Sequence, residues 1–246
     1  MAPVKNRKFL PYFAFCMGIL GMLSRIWLFV GGVDEKGLPL RNHPADICSW
    51  VIACLALLVI FIGVQGLSDC RKYDRLYRAS VPAGLATFSA GLGIAITELP
   101  VLFAAADLFA AATGLLGLLA SLCLFAQGHC RLTGKPPRAF LPLIVNVYFL
   151  LHLVWQYRQW SWSAQLQVYA IPLVASALLM LACYHRTALF TQVGGRKSCV
   201  FFSLAAGVFC GLAIPGQRLA FYLTMALWML CDTGSLVCDL GEEASQ

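Results

Sequence analysis

Residues 80–127 read SVPAGLATFSAGLGIAITELPVLFAAADLFAAATGLLGLLASLCLFAQ, an apolar stretch in which Glu98 and Asp107 are the only acidic or basic side chains. A helix needs about 20 apolar residues to cross the roughly 30 Å of hydrocarbon in a bilayer. The stretch is therefore long enough for two crossings joined by a turn. We place that turn at Glu98, Leu99 and Pro100, because proline and the residue before it disfavour a continuing helix.

Apolar runs of similar length recur along the rest of the chain and predict an all-α polytopic transmembrane bundle. We treat residues 1–246 as a single transmembrane domain. An alternative of seven spans stays open, because only residues 216–218 separate the last two runs and one bent helix could join them. The eight predicted spans are residues 9–31, 47–67, 80–97, 101–127, 140–157, 166–186, 199–215 and 219–238.

The composition excludes a soluble domain. The chain is 60% hydrophobic and 12% charged, and its mean hydropathy is +0.78. A soluble protein of 246 residues could not bury so much apolar surface. The first run follows basic residues, as the core of a signal peptide does, but it is longer than the roughly 7–15 residues of such a core. We interpret it as a retained first helix.

The basic residues predict which way the spans run, because short cytoplasmic loops carry an excess of lysine and arginine. With the N-terminus in the cytoplasm, 13 basic residues fall inside, four fall outside and Arg25 lies within the first span. We therefore expect a protein of the cytoplasmic membrane with both ends in the cytoplasm, a short basic segment at residues 1–8 and a short acidic tail at residues 239–246. The inside residues are Lys5, Arg7, Lys8, Arg71, Lys72, Arg75, Arg78, Arg131, Lys135, Arg138, Arg186, Arg196 and Lys197, and the outside ones are Lys36, Arg41, Arg158 and Arg218.

This topology also accounts for the net charge of +7. The positive charges lie in short loops between apolar spans and not on one soluble face. We therefore expect the lipid bilayer, and no nucleic acid, as a partner.

The even spacing of the basic segments predicts four helical hairpins in series. Arg71, Arg131 and Arg186 end the second, fourth and sixth spans at similar intervals. Ser203, Gly207 and Gly211 form a stripe of small residues in the seventh span. Small residues let helix backbones approach closely in lipid, so we expect this stripe to pack against another helix of the same chain.

Polar side chains at membrane depth are the candidates for a binding site. An ionisable group costs about 2.5–3.5 kcal/mol at the centre of a membrane helix, and such groups therefore pair with each other or face a cavity. Several of them fall on the predicted outer side, on four different spans. Our hypothesis is an outward-open pocket lined by Arg25, Asp46, Glu98, Asp107, His152 and Gln156.

Within this set we expect Arg25 and Asp107 to form an ion pair. Asp107 is placed about two turns into the fourth span, and a purely structural pair, or an arginine that extends to the headgroups, is the alternative. Asp232, near the inner end of the last span, is a candidate with Asp107 for coupling an ion to transport. Local hydrogen bonding is the other interpretation of Asp232.

No motif in the sequence indicates catalysis, a cofactor or a metal. The sequence has no phosphate-binding glycine loop, zinc-binding histidine pair or nucleophile elbow, and its 11 cysteines include no C-x-x-C pair. We predict a multi-pass membrane protein that binds or senses a small solute. The lack of a catalytic motif favours a protein that is not an enzyme, and the sequence leaves that question open. Signalling or energised transport would require a separate protein chain. A secondary transporter and a membrane-embedded enzyme acting on a lipid-linked substrate are the alternatives.

Overall fold

The computed structural model describes residues 9–32, 43–67, 79–104, 107–161, 166–216 and 218–238. These residues form eight α-helices and no strand, and each helix is long and apolar enough to cross a membrane. The prediction of an all-α bundle with eight spans is confirmed, and the seven-span alternative is wrong. The helices are α1 (Phe9–Gly31), α2 (Pro44–Gln65), α3 (Val81–Phe103), α4 (Leu108–Thr133), α5 (Phe140–Trp160), α6 (Leu166–Phe190), α7 (Arg196–Ala213) and α8 (Leu219–Cys238).

Local sequence explains where several helices begin and end. Proline occupies the first turn of α2 and of α3, where no partner for its missing N–H is needed. The N-cap of α2 is His43, whose Nδ1 accepts from the Ala45 N–H at 3.3 Å. After α4 the chain turns at Gly134, whose φ of 70° lies in the left-handed region that favours glycine.

The eight helices pack as four serial hairpins, as predicted. Each helix of a hairpin contacts its partner, and α7 also packs against α1, α2 and α6. In the apolar segment of α7, 78% of the residues are buried inside the bundle, against 28–39% in α1 to α6. The most enclosed helix is therefore α7, and the outer helices present their apolar faces to lipid.

The small-residue stripe of α7 packs inside the chain, as expected. A Cβ on Gly211 would lie 2.9 Å from Gly18 Cα and 3.0 Å from Gly18 O on α1, so the two backbones are in direct contact. A Cβ on Gly207 would lie 2.9 Å from a methyl of Leu230 on α8. The two glycines thus bring α7 against both neighbours.

The predicted turn at Glu98, Leu99 and Pro100 is wrong. The third helix continues to Phe103 with Pro100 inside it, and α4 begins only at Leu108. Pro100 lies in the last turn, where its carbonyl still accepts the Ala104 N–H at 2.9 Å. A proline this close to the helix end disrupts little of the hydrogen-bond ladder. Glu98 is consequently a helix residue facing the bundle and not part of a loop.

The bundle has two ends, which we call the Arg131 side and the Arg158 side after a residue at each. With eight crossings, Phe9 and Cys238 fall together on the Arg131 side. Contacts fit this arrangement: the Ser80 N–H donates to Arg131 O at 3.1 Å within the second hairpin, and Lys197 Nζ donates to Gln65 O at 3.2 Å between α7 and α2. The segments predicted as residues 1–8 and 239–246, and the basic residues Lys36, Arg41, Arg71, Lys72, Arg75 and Arg78, lie outside the described residues.

Candidate functional site

Glu98 lies in the interior of the bundle, where α3 and α4 pack closely. Its exposed fraction is 0%. Gly117 of α4 lies directly opposite, and a Cβ there would be 2.6 Å from Glu98 Cγ and 3.0 Å from Tyr148 Cε2. The absence of a side chain at residue 117 makes the space that the carboxyl group occupies.

Three side chains surround one oxygen of the Glu98 carboxylate. Tyr148 Oη donates to Oε1 at 2.9 Å. His152 Nδ1 lies 3.1 Å from the same oxygen, and Arg218 Nη1, just before α8, lies 3.5 Å from it. A buried carboxylate needs such donors and a positive charge to offset its lost hydration. Helices α3 and α5 and the start of α8 therefore meet at Glu98.

The same cluster leaves four buried polar atoms without a hydrogen bond within the described chain. Two are N–H donors, Trp155 Nε1 and Arg218 Nη1, and the other two are the second carboxylate oxygen, Glu98 Oε2, and the imidazole nitrogen His152 Nε2. Because His152 Nδ1 faces the carboxylate, we assign its proton to Nδ1, which makes Nε2 a hydrogen-bond acceptor. Buried polar atoms are almost always paired. Two adjacent residues with unpaired acceptors indicate a site able to receive a donor.

Aromatic rings enclose the histidine and separate the cluster from solvent. The His152 ring stacks on Phe221 with centroids 5.0 Å apart, and Trp155 lies 6.1 Å away. The Arg218 guanidinium is 4.6 Å from the Trp155 ring. Trp155 also lines a cavity of about 260 Å³ on the Arg158 side, together with Asp107, Phe109, Ala110, Arg158 and Gln159. Trp155 therefore stands between this cavity and the buried charges.

Gln156 lies one helical turn beyond His152 and connects three helices. Its Nε2 donates to Tyr222 Oη at 3.1 Å, and its Oε1 accepts from Ser176 Oγ at 2.5 Å. These bonds join α5 to α6 and α8. Gln156 therefore supports the wall beside the histidine, with its own amide group already engaged.

Arg25 and Asp46 form a second group, between α1 and α2. Arg25 is 2% exposed, and its Nη1 lies 3.8 Å from Asp46 Oδ1. Its guanidinium is 5.2 Å from the Phe29 ring. The expected ion pair of Arg25 with Asp107 is wrong, because the ion pair of Asp107 in the described structure is with Arg158.

Asp107 lies at the surface and not two turns into a span. It occupies the N-cap position of α4, its side chain is 69% exposed, and its Oδ2 is 3.9 Å from Arg158 Nη2. The helix starts later than predicted because α3 uses the residues up to 103. The six residues of the hypothesis thus divide into three groups: Arg25 with Asp46, Glu98 with His152 and Gln156, and Asp107 at the mouth of the 260 Å³ cavity.

Asp232 forms an interhelical ion cluster on the Arg131 side. Its Oδ1 accepts from Arg131 Nε at 3.1 Å, and its Oδ2 accepts from Arg186 Nη2. The Arg186 guanidinium also lies 5.1 Å from the ring of Trp228. Both arginines are buried. Asp232 therefore ties α4 and α6 to α8, and both of its oxygens are engaged.

Sequence reasoning missed Tyr148 and Arg218 as partners of Glu98, and it counted Arg131 and Arg186 only as loop charges. A signal for Tyr148 exists. Tyr148, His152 and Gln156 follow one another at four-residue spacing, which places them on one face of a helix. No comparable pattern joins Glu98 to Arg218, which are 120 residues apart and meet only in the folded bundle.

Within the described residues, no group of three histidine, cysteine, aspartate or glutamate side chains could hold a metal ion. Comparison with protein-family models, with curated proteins and with solved structures gave no match.

Proposed function

We propose that this protein binds a small polar solute inside the membrane, at Glu98 and His152. The observation that carries the proposal is the pair of buried acceptors, Glu98 Oε2 and His152 Nε2, that have no partner in the described chain. Leaving such atoms unpaired costs about 1–3 kcal/mol each. A solute that donates hydrogen bonds to both would recover that free energy.

The charges and rings around the site restrict the chemistry of the solute. The Glu98 carboxylate faces the Arg218 guanidinium at 3.5 Å, so the site is close to neutral overall. Two acceptors, the unpaired donors Trp155 Nε1 and Arg218 Nη1 and the flanking rings of Trp155 and Phe221 favour a compact molecule with hydroxyl or amine groups. The cavity lined by Trp155 and Arg158 is the proposed route of entry.

The basic residues at one end of the bundle support an orientation of the protein in the membrane. The excess of lysine and arginine on the Arg131 side favours an orientation with that side in the cytoplasm. We propose that the protein lies in the cytoplasmic membrane. The solute would then enter from the outside. We propose that a separate protein chain receives the signal.

A secondary carrier is the second candidate function, because buried charges occur on both sides of the bundle. Glu98 lies towards the Arg158 side and Asp232 towards the Arg131 side, and α8 packs beside both clusters. A carrier of this kind would use Glu98 as its coupling group, since Asp107 is exposed and Asp232 is held by two arginines. Carriers usually bind substrate at interrupted helices, and the described spans run without a break, which favours binding over transport.

A thermal-unfolding screen tests the proposal. The purified protein is heated with ethylamine, putrescine, choline or glycerol, each in large excess. We expect at least one of these probes to raise the melting temperature of the wild type and to leave Glu98→Gln unchanged. Asp107→Asn is the matched control, because its carboxylate is exposed, and it should respond as the wild type does. Equal shifts for the wild type and Glu98→Gln, or no shift with any probe, would contradict the proposal.

A further inference from the structure

A groove on the lipid-facing surface runs between α1 and α3, with α8 as its floor. Its volume is about 480 Å³, within the roughly 300–1,000 Å³ typical of small-molecule sites. Its walls are mainly apolar, with two serines and a cysteine near one end. The lining residues are Pro11, Tyr12, Phe15, Ser80, Pro82, Leu227, Leu230, Cys231, Gly234 and Ser235.

The length of the groove matches one leaflet of a bilayer. On α8 it extends from Leu227 to Ser235, which is about 12 Å at 1.5 Å per residue. Half of the hydrocarbon core is about 15 Å thick. The apolar part of the groove therefore has the dimensions of a lipid acyl chain lying along the helices.

The polar end of the groove leads directly to a buried guanidinium. Ser235 lines the groove, and its Oγ accepts from Arg131 Nη2 at 2.5 Å. Ser80, on the opposite wall, donates its backbone N–H to Arg131 O at 3.1 Å. The Ser235 hydroxyl also donates to Asp232 O at 2.7 Å, so a headgroup at this end would meet the Ser80 hydroxyl and the positive charge immediately behind Ser235.

Charge on this side of the bundle favours an anionic occupant. Among the described residues of the Arg131 side, the only acid is Asp232. The basic residues there attract anionic lipid headgroups at a membrane surface. They are Arg131, Lys135, Arg138, Arg186, Arg196 and Lys197.

We propose that this groove binds an anionic phospholipid, with an acyl chain along α8 and the phosphate at the end formed by Ser80, Ser235 and Arg131. The apolar walls hold the chain by burial of apolar atoms and van der Waals contact, and the guanidinium selects the negative headgroup. This site is separate from Glu98 and His152 and does not depend on the function proposed for them.

Two glycines provide a matched pair of variants. A Cβ on Gly234 would have no neighbouring heavy atom within 4 Å, apart from its own chain neighbours and helix backbone. Since Gly234 lines the groove, Gly234→Leu places its side chain in the space that the lipid would occupy. Gly31 has an equally open environment at the other end of α1, so Gly31→Leu makes the same change away from the groove.

Native mass spectrometry of the full-length protein in detergent measures lipid retention. The probes are phosphatidylglycerol and phosphatidylcholine with identical acyl chains. We expect the wild type and Gly31→Leu to retain phosphatidylglycerol at least tenfold more strongly than phosphatidylcholine, and Gly234→Leu to lose at least tenfold of that binding. Equal retention of the two lipids, or undiminished binding by Gly234→Leu, would overturn the proposal. It would also be overturned if Gly234→Leu dissociated a dimer, since the groove would then hold a second copy of the chain.

A measurement on the wild type keeps the test independent of variant folding. Cys231 lines the groove, whereas Cys16 is an exposed cysteine of α1 outside it. We expect phosphatidylglycerol, and not phosphatidylcholine, to slow alkylation of Cys231 by N-ethylmaleimide at least fivefold relative to Cys16. Identical rates with both lipids would refute the assignment.

Discussion

Replacing Gly211 with alanine should force α1 and α7 apart, because the new methyl group would meet backbone and not a side chain that can rotate away. Its Cβ would lie 2.9 Å from Gly18 Cα and 3.0 Å from Gly18 O. Overpacking of this kind costs about 1–3 kcal/mol. Alanine in a helix is more favourable than glycine by about 0.5–1 kcal/mol, so we expect a net loss of about 0–2.5 kcal/mol.

Gly234→Ala is the reference that isolates the collision. It makes the same change within a helix, but its Cβ would have no close neighbour, and we expect a gain of about 0.5–1 kcal/mol. The free energy of unfolding, measured by circular dichroism in mixed micelles, should therefore be about 1–3 kcal/mol lower for Gly211→Ala than for Gly234→Ala. Equal stability of the two variants would refute the close contact of α1 with α7.

Three further predictions concern the ion cluster, the topology and the site. Asp232→Asn should lower the free energy of unfolding by about 3–5 kcal/mol, because it removes one partner of a buried ion cluster. Asp107→Asn is the control and should lower it by at most about 1 kcal/mol, because that carboxylate is exposed. An equally small loss for Asp232→Asn would contradict the role of the ion cluster in joining α4 and α6 to α8. Cysteines placed at the exposed positions Lys135 and Gln159 should react with an impermeant maleimide from opposite sides of the membrane, and labelling from the same side would contradict the eight crossings. Gly117→Ala should displace the Glu98 carboxylate, since its Cβ would lie 2.6 Å from Glu98 Cγ, and should abolish the solute-dependent rise in melting temperature. An unchanged response would contradict the close packing of residue 117 against the binding site.

The fold was predictable because the length of each apolar run indicates a membrane crossing and the charge of each loop indicates the side of the membrane on which it lies. The bounds of α1 and α8 agree with the predicted spans, and the four hairpins follow from alternating basic loops. The turn between α3 and α4 was not predictable in the same way. Proline is compatible with the last turn of a helix as well as with a loop, and hydropathy alone does not distinguish these within one mainly apolar stretch of 48 residues.

The candidate site was predictable only in part. Glu98, His152 and Gln156 stand out because polar groups are costly at membrane depth, and all three lie together. The pairing was not predictable, because it depends on which helices touch: Arg25 meets Asp46 on the next helix, while Glu98 meets Arg218 across the bundle. Arg131 and Arg186 looked like loop charges because the sequence does not reveal how far a helix extends beyond its apolar run.

Nitrogen-15 NMR of histidine-labelled protein tests the central claim most directly, with His152→Gln to assign the resonances. We predict that His152 is protonated at Nδ1, where it faces the Glu98 carboxylate 3.1 Å away, and unprotonated at Nε2, with a shift at Nε2 when a stabilising solute is added. Glu98→Gln should alter the Nδ1 resonance. A proton on Nε2 with Nδ1 bare, or resonances unaffected by both Glu98→Gln and the solute, would contradict the proposed site.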